Sequence, residues 1–343
     1  MSARAAMAKD AFGRGLKDLR ISVTDRCNFR CTYCMPLNEY KWVERRELLS
    51  YEEILRLTGL FVRLGAEKIR ITGGEPLVRK QLEILVKGIA ALPGVKDLSL
   101  TTNGALLAEQ APALRAAGLA RINVSLDTLD PEKFKRISQR GELSDVLAGL
   151  RAAQRCGFHP IKINAVIERG VNGDEILPLA EFSRDHGFTI RYIEYMDAGN
   201  SNHWRLDKVV SKKEILQAVA ARYPLREAKR TDASAPAVDY RFADGRGKLG
   251  VIASVTEPFC RECDRARLTA DGQLVTCLFS PSGYDLKSLM RGGSTNDELM
   301  ERIAVIWRKR TDRYSEERRE AISSGTGYEP QNRPKMEMIV LGG

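Results

Sequence analysis

The sequence has few of the residues that build common metal sites, and it lacks long apolar runs. It contains three histidines among 343 residues, and none has a second metal ligand at a useful spacing. No stretch of roughly eighteen apolar residues occurs, which argues against a membrane-spanning helix. The first residues show no apolar core of signal-peptide length, so we expect a cytoplasmic protein.

Cysteine is also scarce, with seven residues in the chain. In a reducing compartment such thiols are more often metal ligands or core residues than disulfide partners. The formal net charge is +10, but the charges form no basic stripe with interleaved aromatics. The densest run, Arg308–Glu320, mixes both signs and is typical of a solvated segment. This pattern disfavours nucleic-acid binding and leaves an anionic small molecule open.

The hydrophobic pattern predicts an α/β fold. Short β-branched runs alternate with amphipathic windows whose apolar residues recur every three or four positions, which indicates parallel βα units. The runs are Leu19–Val23, Lys68–Thr72, Leu98–Thr102, Ile122–Leu126, Ile161–Ile167 and Ile190–Tyr195. Six such units predict an incomplete (β/α)6 TIM-type barrel, with a flat doubly wound sheet as the alternative.

The pattern changes after Met196. Two later segments, 240–255 and 266–279, contain Asp-Gly pairs that indicate β-hairpins. An Ala/Pro-rich connection lies between the barrel pattern and these hairpins. We therefore predict a barrel domain over residues 1–230 and a smaller C-terminal α+β extension over residues 231–343.

Three cysteines follow the first predicted strand in the spacing C-x3-C-x2-C. Cys27, Cys31 and Cys34 (the N-terminal trio) can surround one face of a metal–sulfur cube. One iron is then left without a protein ligand, an open position of the kind that catalytic metals keep.

A second group, Cys260, Cys263 and Cys277 (the C-terminal trio), also has three members and no evident fourth. Taken alone, it is equally consistent with zinc and with an iron–sulfur cluster. Cys156 lies at a predicted helix end, and we interpret it as a structural cysteine.

The N-terminal trio, together with "TGGEP" (Thr72–Pro76) after the second strand, resembles the radical S-adenosylmethionine (SAM) enzymes. The resemblance implies a [4Fe–4S] cluster on the trio, with SAM chelating the open iron. It also implies SAM contacts by Tyr33, near the adenine, and by Gly73, Gly74 and Glu75. Beside this motif, an auxiliary [4Fe–4S] cluster is favoured for the C-terminal trio.

Several stretches resemble the GTP 3′,8-cyclase family almost from end to end, among them "RINVSLDTLD", "RYIEYMDAGN" and "FCRECDRARLTADGQLVTCLF". The resemblance implies a lyase that catalyses the first step of molybdenum cofactor biosynthesis. Its 5′-deoxyadenosyl radical would remove hydrogen from C3′ of GTP, giving 3′,8-cyclo-7,8-dihydro-GTP. The implied contacts are Ser125 and Met196 for SAM, and Arg20, Arg70, Thr101, Lys162, Arg265 and Arg267 for GTP. Arginine can grip phosphate oxygens in bidentate fashion, and Arg265 and Arg267 are also expected to stabilise charge during reduction.

The resemblance has further implications for the tail and the partners. It places Gly342 and Gly343 in the active site beside the arginines, with Leu341 where the family more often has isoleucine. It implies cyclic pyranopterin monophosphate synthase as the next enzyme and allows a homodimer, but it identifies no electron donor. Two alternatives stay open: a peptide-modifying radical SAM maturase, which predicts more C-terminal cysteines, and a metal-containing nucleic-acid-binding protein.

Overall fold

Twelve strands form one mixed sheet in the computed structural model, which describes residues 8–35, 40–325 and 328–342. The strands are β1 (Asp18–Ser22), β2 (Lys68–Thr72), β3 (Asp97–Thr102), β4 (Arg121–Ser125), β5 (Ile161–Ile167), β6 (Thr189–Glu194), β7 (Leu225–Glu227), β8 (Val238–Phe242), β9 (Lys248–Ile252), β10 (Arg265–Leu268), β11 (Gln273–Val275) and β12 (Tyr284–Asp285). Their spatial order is β12-β11-β10-β1-β2-β3-β4-β5-β6-β9-β8-β7.

The helices follow the strands of the barrel and then pack around the C-terminal part. They are α1 (Tyr51–Arg63), α2 (Leu82–Ala90), α3 (Leu107–Ala116), α4 (Pro131–Ser138), α5 (Leu143–Arg155), α6 (Ile176–Asp185), α7 (Lys212–Ala220), α8 (Lys287–Arg291), α9 (Asn296–Arg308), α10 (Tyr314–Ser323) and α11 (Met338–Leu341). None of the helices in the described ranges is long and apolar enough to cross a membrane.

The six predicted strands are confirmed, each within one residue of its expected bounds. β1 to β6 pair in parallel and lie in sequence order. A doubly wound sheet would show a reversal in that order, where its crevice lies. The incomplete-barrel prediction is therefore correct, and the flat alternative is wrong.

The C-terminal part extends both edges of this barrel sheet. β10 pairs in parallel with β1, and β9 pairs in parallel with β6. The predicted hairpins are present as β8–β9 and β10–β11. Edge strands expose unpaired backbone N–H and C=O groups, and these additions satisfy them. The predicted boundary near residue 230 falls between β7 and β8.

The strands direct apolar and polar side chains to opposite faces. On β1, Leu19 and Ile21 are fully buried in the apolar core, whereas Arg20 points to the barrel interior. The same alternation on β2 places Arg70 beside Arg20 in register. The core therefore lies between sheet and helices, and the interior of the barrel is polar and basic.

One sequence-based interpretation is wrong. The mixed charges of Arg308–Glu320 predict a solvated segment, but Arg310 and Arg318 within it are buried. Arg318 forms an ion pair with the buried Asp197 and donates to the backbone oxygen of Ser254. The alternation of signs along a sequence does not reveal that partners from distant segments bury two of its members.

Candidate active site

All six cysteines of the two trios line one cavity inside the barrel. The N-terminal trio lies in the loop after β1, at the carboxyl ends of the barrel strands, where catalytic groups gather. The C-terminal trio lies toward the amino ends of these strands, because Cys263 precedes β10, which pairs in parallel with β1. The cavity is also lined by Tyr33, Gly73, Gly74, Glu75, Thr101, Ser125, Met196, Arg20, Arg265 and Arg267.

The loop of the N-terminal trio is held by backbone hydrogen bonds to α4. The N–H of Arg30 donates to the oxygen of Ser138 at 2.8 Å, and that of Thr32 donates to Ile137 at 3.0 Å. Burial raises the pKa of Cys27 to about 11 and that of Cys34 to about 12. Thiolates are therefore costly here unless a cation compensates them.

The donor set of the cavity suits iron–sulfur clusters. Two groups of three cysteines line it, and thiolates are the ligands that hold such clusters, each cysteine binding its own iron.

The C-terminal trio lies in a more positive environment. Burial opposes ionisation of Cys263, but the charges of Arg265 and Arg310 outweigh it and lower the pKa of this thiol to about 7. Burial raises the pKa of Cys277 to about 12. Arg310 lies outside the motifs that carry the family resemblance, so the sequence assigns it no role.

Tyr33 is fixed from across the barrel by Asp127, a residue that sequence reasoning missed. The Tyr33 hydroxyl donates to Oδ2 of Asp127 at 2.7 Å, and the N–H of Val166 donates to its Oδ1 at 2.8 Å. Burial raises the pKa of Asp127 to about 6. Asp127 lies directly after β4, two residues beyond Ser125, and this position at a strand end is the sequence feature from which a role in the site could have been inferred.

Gly73 and Gly74 pack against the backbone of the cysteine loop. A Cβ on Gly74 would lie 2.4 Å from the oxygen of Arg26, and one on Gly73 would lie 2.6 Å from the oxygen of Thr24. The N–H of Gly74 donates to Thr24 at 2.7 Å. The glycines therefore join the "TGGEP" loop to the cysteine loop as well as lining the cavity.

Glu75 joins the loops that follow β2 and β3. Its carboxylate accepts from the N–H of Leu77 at 3.0 Å, the Thr102 hydroxyl at 2.7 Å and the N–H of Asn103 at 2.6 Å. Burial raises its pKa to about 7 although these bonds oppose the rise. These contacts make Glu75 a support for both loops.

Arg70 and Lys162 do not line the cavity but lie deeper on the same inward face. Arg70 is in register with Arg20, and Lys162 precedes the cavity-lining Asn164 by two residues on β5. Burial and then the charge of Arg191 lower the pKa of Lys162 to about 7. Burial, followed by the charge of Arg70, lowers the pKa of Arg20.

The cations inside the barrel are short of anionic partners. The Nε atoms of Arg20, Arg70 and Arg191 are buried and have no hydrogen-bond partner among the described residues. Arg191 on β6 was not predicted, although the alternation of "IRYIEY" places it inward. Buried donors without partners are costly, so this region is suited to an anion.

The C-terminal tail enters the cavity. Met338 and Ile339 of α11 line it, and Nη1 of Arg267 donates to the oxygens of Leu341 at 3.0 Å and Gly342 at 2.6 Å. Gly343, the other half of the predicted Gly-Gly end, lies outside the described residues.

Comparison with known proteins identifies the family. Residues 21–183 match the Radical SAM superfamily, and residues 188–316 match Molybdenum Cofactor Synthesis C. The chain is 48% identical to a GTP 3′,8-cyclase of Acidothermus cellulolyticus, over 98% of this chain and 99% of the relative. It is 46% identical to GTP 3′,8-cyclase 1 of Mycobacterium tuberculosis, over 90% and 87%. The chain belongs to the GTP 3′,8-cyclase family.

Family membership makes this chain a radical SAM lyase of molybdenum cofactor biosynthesis that uses SAM and two [4Fe–4S] clusters. Among solved structures, Streptococcus suis SuiB bound to the precursor peptide SuiA is similar, with a TM-score of 0.62. It covers 90% of this chain and 68% of SuiB at 13% identity. At that identity the likeness supports the fold and says nothing about a peptide substrate.

Proposed function

We propose that this chain converts GTP into 3′,8-cyclo-7,8-dihydro-GTP, with GTP bound between the N-terminal and C-terminal trios. Family membership supports the reaction. The observation that carries the placement is the set of buried, unpartnered Nε atoms of Arg20, which lines the cavity, and of Arg70 and Arg191 deeper in the barrel. A triphosphate supplies the anionic oxygens that these donors lack.

The triphosphate end lies within the barrel. Arg20 and Arg267 are adjacent in register on β1 and β10, and Arg70 follows on β2, so three guanidiniums form one row across neighbouring strands. Lys162 and Arg191 contribute positive charge from the opposite wall, on β5 and β6. Thr101 and Arg265 also line the cavity, and we assign them to the ribose and base.

SAM binds on the other side, over the N-terminal trio. Cys27, Cys31 and Cys34 hold the cluster, and when bound it supplies the electron for reductive cleavage of SAM. Tyr33, oriented by Asp127, orients the adenine. Gly73, Gly74, Ser125 and Met196 line the same side of the cavity, and we assign them to the rest of SAM.

The remaining assignments concern the C-terminal trio, the tail and the partners. Cys260, Cys263 and Cys277 hold the auxiliary cluster beside the base. The tail held by Arg267 restricts water access to the reacting ribose. Residues 231–343 act as the extension that carries the C-terminal trio and the tail. The product then passes to cyclic pyranopterin monophosphate synthase, and a homodimer is compatible with this arrangement.

Anaerobic turnover of the reconstituted protein with SAM, dithionite and GTP tests the proposal. Mass spectrometry should find 5′-deoxyadenosine together with a cyclised product derived from GTP. The Arg70→Met variant should lose GTP-dependent product, while the exposed Lys87→Met control should retain it. Formation of 5′-deoxyadenosine with no GTP-derived product would exclude the GTP assignment and keep the radical SAM assignment.

A further inference from the structure

Arg310 contacts the C-terminal trio from outside the cavity. Its Nη2 donates to Sγ of Cys263 at 3.2 Å, and its Nη1 donates to the backbone oxygen of the same residue at 2.6 Å. Its Nε donates to the oxygen of Thr276, next to Cys277, at 3.1 Å. The side chain is 1% exposed and does not line the cavity, so it cannot touch a substrate there.

Asp10 orients this arginine together with a second one. The Asp10 carboxylate is fully buried and lies 3.2 Å from Nη1 of Arg310 and 2.6 Å from Nε of Arg14. Nη1 of Arg14 donates to the oxygen of Cys260 at 2.7 Å. One carboxylate thus holds two guanidiniums against two cysteines. Nε of Arg310 also pairs at 3.1 Å with Asp312, a partly exposed carboxylate, so the cation that lies against Sγ is the Arg310 guanidinium itself.

The cost of this arrangement argues against a purely structural role. Taking three charges out of water is expensive, and well-packed apolar side chains often replace such groups without loss of stability. The anchoring of the N-terminal segment already has an uncharged contribution, since Nε1 of the buried Trp307 donates to the oxygen of Arg14 at 2.9 Å. The positive charge of Arg310 lies against the Cys263 thiol, which indicates a role beyond anchoring the chain.

We propose that Arg310, oriented by Asp10, raises the reduction potential of the auxiliary cluster. The inference rests on the proposed function, because it requires that the C-terminal trio holds an iron–sulfur cluster. Each one-electron reduction makes a thiolate-bound cluster more negative by one charge, with no bond made or broken. A buried cation and a hydrogen bond to Sγ both stabilise the more negative state. The electron comes from the same low-potential reductant that supplies the first cluster.

A potentiometric titration followed by electron paramagnetic resonance tests the role. The full chain with Cys27→Ala, Cys31→Ala and Cys34→Ala isolates the signal of the auxiliary cluster. In this background, Arg310→Met should shift the midpoint potential to a more negative value. Arg310→Lys should recover part of the shift, since it keeps the charge but loses the fork of donors. Arg308→Met is the control, because that arginine is half-exposed and pairs with Glu301.

The Asp10→Asn variant should shift the midpoint potential in the opposite direction. It removes a negative charge beside Arg310, so the midpoint potential should become more positive. A residue that only supports the fold would lose iron in these variants without opposite shifts. The proposal is overturned if Arg310→Met with full iron content leaves the midpoint unchanged, or if Asp10→Asn shifts it downward. If the parent protein binds no iron at the C-terminal trio, the proposed function fails instead.

Discussion

Arg267 donates from one nitrogen to the backbone oxygens of both Leu341 and Gly342, at 3.0 and 2.6 Å. Arg267 also lies in register with Arg20 on the neighbouring strand. Arg267 therefore binds the C-terminal tail and also belongs to the row of guanidiniums that we assign to the triphosphate. The tail forms part of the cavity wall.

Gly342→Ala should impair turnover. Gly342 has a φ of +72°, and a Cβ there would lie 2.3 Å from Cγ2 of Thr72. The tail would have to withdraw, so we expect kcat for GTP to fall by about tenfold or more, with little change in melting temperature. Gly325→Ala is the matched control, because Gly325 has a φ of +68° but no atom within 4 Å of the added Cβ. Normal turnover by Gly342→Ala would show that the tail contact is dispensable.

GTP affinity should fall as the pH rises through neutrality. Burial and then the charge of Arg191 lower the pKa of Lys162 to about 7, so in the free enzyme this lysine loses its proton near that pH. A triphosphate binds the protonated form, and binding takes up a proton. The Kd for GTP should therefore rise above pH 7, by at most about tenfold per pH unit for one proton.

Anaerobic calorimetry in buffers of different ionisation enthalpy measures both the affinity and the proton uptake. Lys162→Met should weaken binding and flatten the pH dependence. Lys87→Met, at an exposed site on α2, should leave both unchanged. A Kd that is constant from about pH 6 to 8.5 would contradict the assignment of Lys162 to the triphosphate.

Tyr33→Phe should weaken SAM cleavage while GTP affinity is preserved. The variant removes the 2.7 Å hydrogen bond from Tyr33 to the buried Asp127. Bonds to charged groups contribute about 1.5–3 kcal/mol, so formation of 5′-deoxyadenosine should slow by about ten- to a hundredfold. Tyr51→Phe is the matched control, since its hydroxyl donates to the oxygen of Lys80 at 2.9 Å away from the cavity. Equal rates in the two variants would mean that the ring orientation does not depend on Asp127.

Asp197→Ala should destabilise the folded protein. Burial works against ionisation of this carboxylate, but the charge of Arg318 and the Tyr328 and Tyr314 hydroxyls lower its pKa. Lys335 lies 3.3 Å away, and both cations are buried. Without Asp197 these charges lose their partner, which costs about 3–5 kcal/mol in the free energy of unfolding.

Denaturant unfolding under anaerobic conditions measures this cost. Asp207→Ala breaks the exposed Arg205–Asp207 pair and should cost no more than about 1 kcal/mol. The lowered pKa also gives a sign for the pH dependence. The contribution of Asp197 is present above the carboxyl's unfolded pKa and is lost as the pH falls through its folded pKa. A loss of similar size in the two variants would show that the buried network is not a stabilising anchor.

Local patterns in the sequence were sufficient for the barrel, and they predict the loops that hold the clusters. β-branched runs and amphipathic windows are periodicities within one segment, and they predicted β1 to β6 correctly. The C-x3-C-x2-C spacing lies within one loop, so its chemistry could be recognised without knowing the fold. The Asp-Gly pairs likewise predicted both hairpins from neighbouring residues.

Tertiary structure alone decided which charges are buried and what they contact. Arg310 and Arg318 look like members of a solvated run, but Asp10 and Asp197, each more than a hundred residues away, bury them in ion pairs. Asp127 meets Tyr33 only across the barrel, 94 residues further along the chain. The attachment of β9 and β10 to opposite edges of the sheet is equally non-local. The amino-acid sequence was sufficient for the six barrel strands, the two hairpins and the family, and it predicts the cluster ligands, because periodicity and spacing are properties of short segments. The surroundings of those ligands depend on packing between distant segments, which no local pattern records.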